Sequence, residues 1–475
     1  MSSLKKNFLY QAVYQVLIIL LPLLTAPYVA RVLGVANAGI YSYSHNVANY
    51  FVVFAMLGLE QYGARCIAQV RNSYEEMSKT FSELLLLHAF VSIAAIAVYF
   101  FYCMEVCEKY TNIFLLQSFF VISSLFDVNW FFFGIEKFKL TVVRNTVIKI
   151  LSVVCIFLFV KSREDLPVYT FILSFSVLLT QIIIWPILQK YVSFKRVPLA
   201  SLKKHCQPLL ILFIAVLAAN LNRMINKVML GWFDKIIDLG CYDYADKIAR
   251  IPLSFIAAID TVMLSKMSNL FAQKQQKAAS ELLDASACLV LLFSFGMCAW
   301  IAAIAPEFVV WFLGRDFAET AYLLGILALT IPIVGWNNYI RTQILIPNQM
   351  DQVYSRAICI GAVVNIFLNF FIIRIMGARG AAAVTVVSYT VIMLLQTIPV
   401  LYVMPVLKNY FHYALFPLFA GLVMYGTVRL CSGLSNHLFA TICIELLVGS
   451  VVYIGLSLIY LKWKKPLILK AILRK

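Results

Sequence analysis

Charged residues are scarce in this chain of 475 residues, and acidic residues are the scarcer kind. Asp, Glu, Lys and Arg make up 13% of the sequence, with 39 basic and 22 acidic residues, whereas soluble proteins contain about 25%. Apolar residues make up 63%, against about 45–50% in soluble proteins. A soluble domain is excluded, because so much apolar surface could not be hidden from water.

The sequence also lacks the motifs of common enzymes and ATP-driven pumps. It has no Walker phosphate loop, no HExxH and no GxSxG. Its 11 cysteines include no CxxC pair, and nothing nearby completes a metal site around Cys103 and Cys107. We predict no enzyme activity, no cofactor and no metal, so transport energy would come from an ion gradient, a substrate gradient or a partner.

Long apolar runs fill most of the chain instead. Each approaches or exceeds the roughly 20 residues that a helix needs to cross a bilayer. We therefore predict an all-α polytopic membrane protein with about 14 transmembrane helices, numbered as spans 1 to 14. The runs lie at 8–33, 38–59, 81–103, 111–134, 140–160, 166–189, 207–232, 240–264, 285–306, 319–345, 355–374, 379–401, 411–431 and 438–461.

Basic residues fall mainly on one side of these spans. With both termini in the cytoplasm, 25 of the 39 Lys and Arg lie in cytoplasmic segments, nine on the opposite side and five inside spans. This is the bias of the positive-inside rule, and it predicts cytoplasmic termini. The formal charge of +17 is explained by membrane orientation, so no nucleic-acid partner is predicted.

A basic segment and an internal repeat divide the spans into two sets of six. The strongly basic segment 190–208 follows span 6. Spans 1 and 2 carry RVLG at 31–34 and GIYSYS at 39–44, while spans 7 and 8 carry KVMLG at 227–231 and GCYDYA at 240–245. Because six spans separate the copies, both have the same orientation, which is typical of a transporter with parallel repeats.

This repeat predicts two pseudo-symmetric six-helix lobes around a central cavity, plus two extra C-terminal helices. The predicted parts are an N-lobe at 1–190 (spans 1–6), a basic cytoplasmic linker at 191–206, a C-lobe at 207–402 (spans 7–12), and the two extra spans with a basic cytoplasmic tail at 403–475.

Several polar side chains lie inside predicted spans, where a charge at mid-bilayer costs about 2.5–3.5 kcal/mol on insertion scales. Bases exceed acids among them, which favours an anionic cargo, and arginine suits phosphate through its two-pronged hydrogen bonding. The candidate substrate-binding residues are Arg31, His45, Asn49, Lys149, Asn220, Arg223, Lys227, Lys247 and Arg250. The candidates for ion coupling are Asp127, Asp246 and Asp260.

Structural roles are the alternative for part of this set. A base on span 7 could pair with an acid on another span, and a single histidine such as His45 is commonly a hydrogen-bonded core residue. Two acid–base pairs in span 8 could neutralise each other, because their members lie four residues apart on a helix. These pairs are Asp243–Lys247 and Asp246–Arg250.

Five strings of residues, spread over most of the chain, resemble those of a known family. The N-terminal block runs from Lys6-Asn7-Phe8 through Pro22, Pro27-Tyr28 and RVLG to GIYSY, and a second string is DxNWFFxGxE at 127–136. The others are FAMLGL at 54–59 with Tyr62-Gly63 and Arg65, MLG at 229–231 with Gly240, Tyr242 and Ala245, and MGAxGAA at 376–382. They are similar to the polysaccharide (lipid-linked oligosaccharide) flippases of the multidrug/oligosaccharidyl-lipid/polysaccharide exporter superfamily.

The resemblance implies a V-shaped pair of lobes with alternating access in a bacterial plasma (inner) membrane. The expected substrate is a polyprenyl-diphosphate-linked oligosaccharide, flipped from the cytoplasmic leaflet outward for cell-surface polysaccharide assembly. Bases facing the cavity would hold the diphosphate, with Arg31 at such a position. The lipid bilayer, H⁺ or Na⁺, a polysaccharide polymerase and chain-length proteins are the other expected partners.

Three alternatives remain at this point. An ion-coupled multidrug or small-molecule extruder of the same superfamily predicts mainly acids in the cavity, and the spans hold mainly bases. A membrane-embedded polysaccharide polymerase or acyltransferase needs a large polar loop or a clustered acid and histidine set. A structural membrane scaffold does not account for the charges inside spans.

Overall fold

The computed structural model describes residues 2–273, 275–404, 412–432 and 437–464. Every regular element in these ranges is a helix, so the prediction of an all-α membrane protein is confirmed. The last part of the predicted basic tail, from residue 465 onward, lies outside the described residues. The chain divides into two compact units, Met1–Gly231 and Trp232–Lys475.

In its described residues, from Ser2 onward, the N-terminal unit is built from nine α-helices. Apolar runs form the long helices, and the short helices lie in the connections between them. They are α1 (Ser2–Met56), α2 (Leu59–Val70), α3 (Tyr74–Phe101), α4 (Thr111–Leu125), α5 (Asn129–Gly134), α6 (Phe138–Phe159), α7 (Leu166–Ile182), α8 (Trp185–Leu188) and α9 (Lys203–Trp232).

The C-terminal unit holds the other eight helices of the described chain. They are α10 (Ile236–Ala249), α11 (Ile251–Ala272), α12 (Gln276–Phe312), α13 (Ala318–Ala328), α14 (Thr330–Ile340), α15 (Asp351–Val403), α16 (His412–Cys431) and α17 (Leu438–Lys464). A π-helical turn at Arg341–Leu345 follows α14.

Eleven helical segments of the described chain are long and apolar enough to cross a membrane. Two of them, Leu21–Val70 and Asp351–Tyr402, contain 50 and 52 residues, which is more than one crossing requires. A non-helical glycine interrupts each of them at a predicted junction: Gly34 (φ 76°) between spans 1 and 2, and Gly377 (φ 54°) between spans 11 and 12. The first segment holds a second one, Gly58 (φ 77°), just before α2. The charged α10 and the following α11, where span 8 was expected, are not among the eleven, and the count of fourteen stays a prediction.

The predicted linker is fastened to α3 in the N-terminal unit. The backbone N–H groups of Ser193 and Lys195 donate to the hydroxyls of Ser78 (3.2 Å) and Ser82 (2.9 Å). Further along, the carboxylate of Glu83, only 1% exposed, accepts from Lys204 (2.7 Å) and contacts the His205 ring (3.2 Å). The linker and α9 therefore belong to the compact N-terminal unit, while the predicted lobe boundaries stay a prediction.

The aromatic part of the DxNWFFxGxE string lies in the core of this unit. Trp130, Phe131 and Phe132 are fully buried in a cluster with Phe81, whose ring stacks on that of Trp130 with centroids 5.4 Å apart. Gly63 on α2 allows this packing, since a Cβ there would stand 2.6 Å from the Trp130 ring. The buried aromatics fix the short α5, and with it the polar residues at its start.

Candidate functional site

A cavity of about 280 Å³, lined by apolar, aromatic and polar side chains, lies inside the N-terminal unit. Four helices supply its walls: α1, α4, α6 and α7. Two of the predicted substrate-binding residues, His45 and Lys149, line it together. The full lining is Tyr41, His45, Gln117, Phe120, Asn145, Ile148, Lys149, Ser152, Leu173, Ser174, Ser176, Val177, Thr180 and Gln181.

One wall of the cavity is aromatic. The His45 ring stacks on Tyr41 (centroids 5.5 Å apart, 8° between planes) and on Phe120 (4.9 Å, 28°). Tyr41 and His45 lie four residues apart and so share one face of α1. The Tyr41 ring also meets Tyr169 edge-on at 4.9 Å. His45 is thus part of a stack of rings, held in place by packing.

A further part of the wall belongs to α6. Asn145, Lys149 and Ser152 follow the helical repeat and present one polar stripe to the cavity. On α4, the Gln117 amide is 1% exposed and donates to the Ser44 hydroxyl at 3.5 Å. Among the described residues that line the cavity, none is acidic, so its charged groups favour an anionic or polar ligand.

A chain of polar groups, each at least partly buried, is bonded to the lining residues Gln181 and Asn145. Asp127 accepts from the Asn129 backbone N–H (2.9 Å) and from the Gln181 amide (3.0 Å), and the amide of Asn129 donates to Gln181 (3.2 Å). The Arg144 guanidinium donates to the amide oxygens of Asn129 and Asn145, each at 2.8 Å. The side chain of Arg144, which was not among the predicted site residues, is turned into this network and is 9% exposed.

The helix α9 carries the predicted cationic face of span 7. Arg223 is exposed and donates to the Asn220 amide oxygen at 2.8 Å, whereas Lys227 is buried at 8% exposure. The Asn49 amide lies 3.3 Å from the sulfur of Met224, which ties α1 to this helix. Arg31 is exposed one turn before the Gly34 kink.

The predicted charges of span 8 form ion pairs. Lys247 lies 2.5 Å from Asp243 and Arg250 lies 2.8 Å from Asp246, and both carboxylates are buried while the bases are more exposed. The structure therefore shows the mutual pairing that their spacing allows. Asp260 on α11 is 3% exposed and accepts from Thr342 at 3.3 Å.

Two acidic residues of the C-terminal unit, Glu307 and Glu445, were not among the predicted site residues. Arg429 on α16 donates to both carboxylate oxygens of Glu307 (2.8 and 3.0 Å) and to the Ala303 carbonyl (3.1 Å). Glu445 on α17 is fully buried and interacts electrostatically with Glu307 and Arg429. Neither of its carboxylate oxygens has a hydrogen-bond partner among the described residues. A lone acid within the apolar run 438–461 was the signal that could have identified it.

The family is shown by comparison with known proteins. A family model described as "Polysaccharide biosynthesis protein" matches residues 4–271, more than half of the chain. This chain belongs to that family. The match spans the whole N-terminal unit, including the cavity and the DxNWFFxGxE string, and continues through most of α11.

This polysaccharide biosynthesis protein also has relatives whose names state an activity. It is 22% identical over 385 residues to a putative O-antigen transporter of Shigella dysenteriae, with 79% of this chain and 95% of the relative covered. It is 21% identical over 385 residues to one of Escherichia coli (strain K12), with 80% and 92% covered. Both are named as transporters, in agreement with the prediction that this chain is not an enzyme.

Solved structures show the same fold. The structure of lipid II flippase MurJ in the inward closed conformation matches with a TM-score of 0.74 and 17% identity, covering 96% of this chain and 98% of that one. A MATE structure in complex with MaD3S matches with a TM-score of 0.50 and 13% identity, covering 84% and 97%. The fold of this membrane protein is therefore that of polytopic transporters.

Proposed function

We propose that this polysaccharide biosynthesis protein flips a polyprenyl-diphosphate-linked oligosaccharide from the cytoplasmic to the outer leaflet of a bacterial plasma (inner) membrane. Its family, its relatives named as O-antigen transporters and its flippase fold support this proposal. The flipped unit would then pass to a polysaccharide polymerase and chain-length proteins. Both termini would lie in the cytoplasm.

The observation that carries the proposal is the arrangement of bases on the N-terminal unit. Arg223 is exposed on α9 and its guanidinium is oriented by the Asn220 amide, and Arg31 is exposed on α1. A guanidinium presents paired N–H donors that match the oxygens of a phosphate. We assign these two arginines and Lys227 to the diphosphate in a central cavity that alternates in access.

The test is transfer between leaflets in liposomes that contain the purified protein and a labelled polyprenyl-diphosphate oligosaccharide. Arg31→Ala and Arg223→Ala should each slow transfer at least about tenfold, because a charged hydrogen bond contributes about 1.5–3 kcal/mol. Arg223→Lys should recover only part of the rate, since lysine lacks the paired donors. Arg356→Ala, which removes an exposed arginine of α15, is the matched control.

Two results would contradict the proposal in different ways. Failure of the wild-type protein to transfer the lipid would reject the substrate. Transfer at the wild-type rate by both alanine variants would reject the cationic cavity.

An ion-coupled extruder of small molecules is the second candidate, because the MATE fold is shared. It would use acids, and the proposed coupling residues are Asp127, Asp246 and Asp260. Asp246 is engaged with Arg250 at 2.8 Å, and Asp127 accepts two hydrogen bonds. These contacts favour the flippase, in which H⁺ or Na⁺ would only drive the cycle.

A further inference from the structure

We propose that the cavity in the N-terminal unit is a subsite for one acidic sugar ring of the substrate, such as a hexuronate. The inference rests on the proposed function and adds what the cavity would recognise. Four observations carry it: the volume, the aromatic wall, the fixed amides and the sign of the charge.

The volume fits one sugar ring. At about 280 Å³, the cavity is slightly smaller than the roughly 300–1,000 Å³ of sites that hold drug-sized ligands. An entire lipid-linked oligosaccharide cannot enter it. One ring at the end of the oligosaccharide can, while the diphosphate and the lipid remain outside.

The aromatic wall suits the apolar face of a sugar. Pyranose rings carry C–H groups on one face, and a flat ring system covers that face without hydrogen-bonding demands. Tyr41, His45 and Phe120 all line the cavity, and their mutual stacking, with plane angles of 8° and 28°, holds the three rings in place. Aromatic side chains contribute large contact area at small cost in conformational entropy.

Polar side chains of α6 and α7 supply fixed hydrogen-bonding groups for sugar hydroxyls. The Gln181 amide is held by Asp127 and Asn129 (3.0 and 3.2 Å), and the Asn145 oxygen accepts from Arg144 at 2.8 Å. Side chains fixed by a second layer of bonds bind a ligand with little loss of entropy. The DxNWFFxGxE string thereby acquires a role, since its Asp127 and Asn129 hold the cavity amides in place.

The charge selects an anionic sugar. Lys149 lines the cavity, and no acid is present among its described lining residues. A carboxylate on the ring would gain a charge-assisted hydrogen bond from the lysine in a partly desolvated site. A neutral hexose would leave this ammonium group without that gain.

The experiment compares three labelled probes in liposomes: polyprenyl diphosphate without a sugar, with one neutral hexose, and with one hexuronate. The readout is the transfer rate of each sugar-bearing probe divided by that of the sugar-free probe. Lys149→Gln should lower the hexuronate ratio about tenfold and the hexose ratio less than about threefold. Ser176→Leu, which fills the cavity, should lower both ratios, and Lys137→Gln before α6 is the matched control.

Each outcome decides between the two proposals. Wild-type ratios in both cavity variants would overturn the subsite. An equal effect of Lys149→Gln on all three probes would assign the lysine to the diphosphate and also overturn it. If the wild-type protein transferred none of the probes, the proposed flippase function itself would fail.

A direct measurement covers the case in which the variants do not fold. Saturation-transfer NMR on the wild-type protein in nanodiscs would use the methyl glycosides of a hexuronate and of the corresponding hexose. We expect saturation of the hexuronate at millimolar concentration and a weaker signal from the hexose. Equal signals, or none from the hexuronate, would overturn the subsite.

Discussion

The surroundings of the N-terminal cavity and the ion pairs of the C-terminal unit hold their arginines in different ways. In the N-terminal unit, the Arg144 guanidinium is surrounded by amide oxygens of Asn129 and Asn145, and the neighbouring cavity is lined by Lys149. In the C-terminal unit, Arg250 and Arg429 each contact a carboxylate at 2.8 Å. Amide oxygens accept the hydrogen bonds of a base but leave its positive charge in place. Carboxylates accept the hydrogen bonds and also neutralise the charge.

This difference suggests a division of labour. A positive field survives where amides are the partners, and it can attract an anionic ligand. Where carboxylates are the partners, each ion pair is locally neutral and leaves little field, and the pair Glu307–Arg429 also joins α12 to α16. We therefore assign the proposed anion-binding role to the N-terminal unit, which the family model matches from residue 4 onward.

The largest expected effect comes from the amide-held arginine. Arg144→Met should lower the free energy of unfolding by about 3 kcal/mol, because two hydrogen bonds to a charged group are lost and buried amide oxygens remain. Unfolding in nanodiscs, followed by steric trapping, would measure it. Lys137→Met, at an exposed position before the same helix, is the control. Equal stability of the two variants would show that the amide contacts of Arg144 do not stabilise the N-terminal unit.

A smaller effect is expected for the half-buried ion pair of the C-terminal unit. A double-mutant cycle with Glu307→Gln and Arg429→Met should give a coupling energy of about 1–2 kcal/mol, since residues in direct contact are not additive. The side chains are 15% and 33% exposed, so solvent weakens the pair only in part. Additive losses in the cycle would show that these two groups do not join α12 to α16.

The smallest effect is expected at the exposed pair Glu319–Arg379, where the side chains are 39% and 54% exposed. Glu319→Gln should cost less than about 1 kcal/mol, as surface pairs do. Salt at about 1 M should abolish this loss by screening while most of the Glu307–Arg429 coupling persists. A salt-resistant loss at Glu319 would mean that exposure does not rank these pairs.

The sequence predicted the membrane architecture well, for a physical reason. Hydropathy is a property of contiguous residues, so long apolar runs identify helices without knowledge of tertiary contacts. The four-residue spacing likewise predicted the pairs Asp243–Lys247 and Asp246–Arg250, which are local to one helix. Features within one helix were therefore accessible from the sequence.

Only part of the cavity lining could be predicted from the sequence. His45 and Lys149 were named because they are ionisable, but Gln117, Asn145 and Gln181 are single amides in different spans, and only the packing of α4, α6 and α7 brings them together. The burial of Arg144 was not predicted, because it depends on Asn129, whose amide is in turn bonded to Gln181, 52 residues further along the chain. Convergence of distant residues is a tertiary property that hydropathy and spacing do not report.

The attachment of the linker to α3 has a practical consequence for protein engineering. Between Ser193 and His205, backbone N–H groups and side chains are committed to Ser78, Ser82 and Glu83. A reporter domain or protease site inserted there would remove those bonds, even though the segment looks like a permissive connection from its composition. Fusion partners are better placed elsewhere. Cutting the chain within this segment would separate two parts of one compact unit.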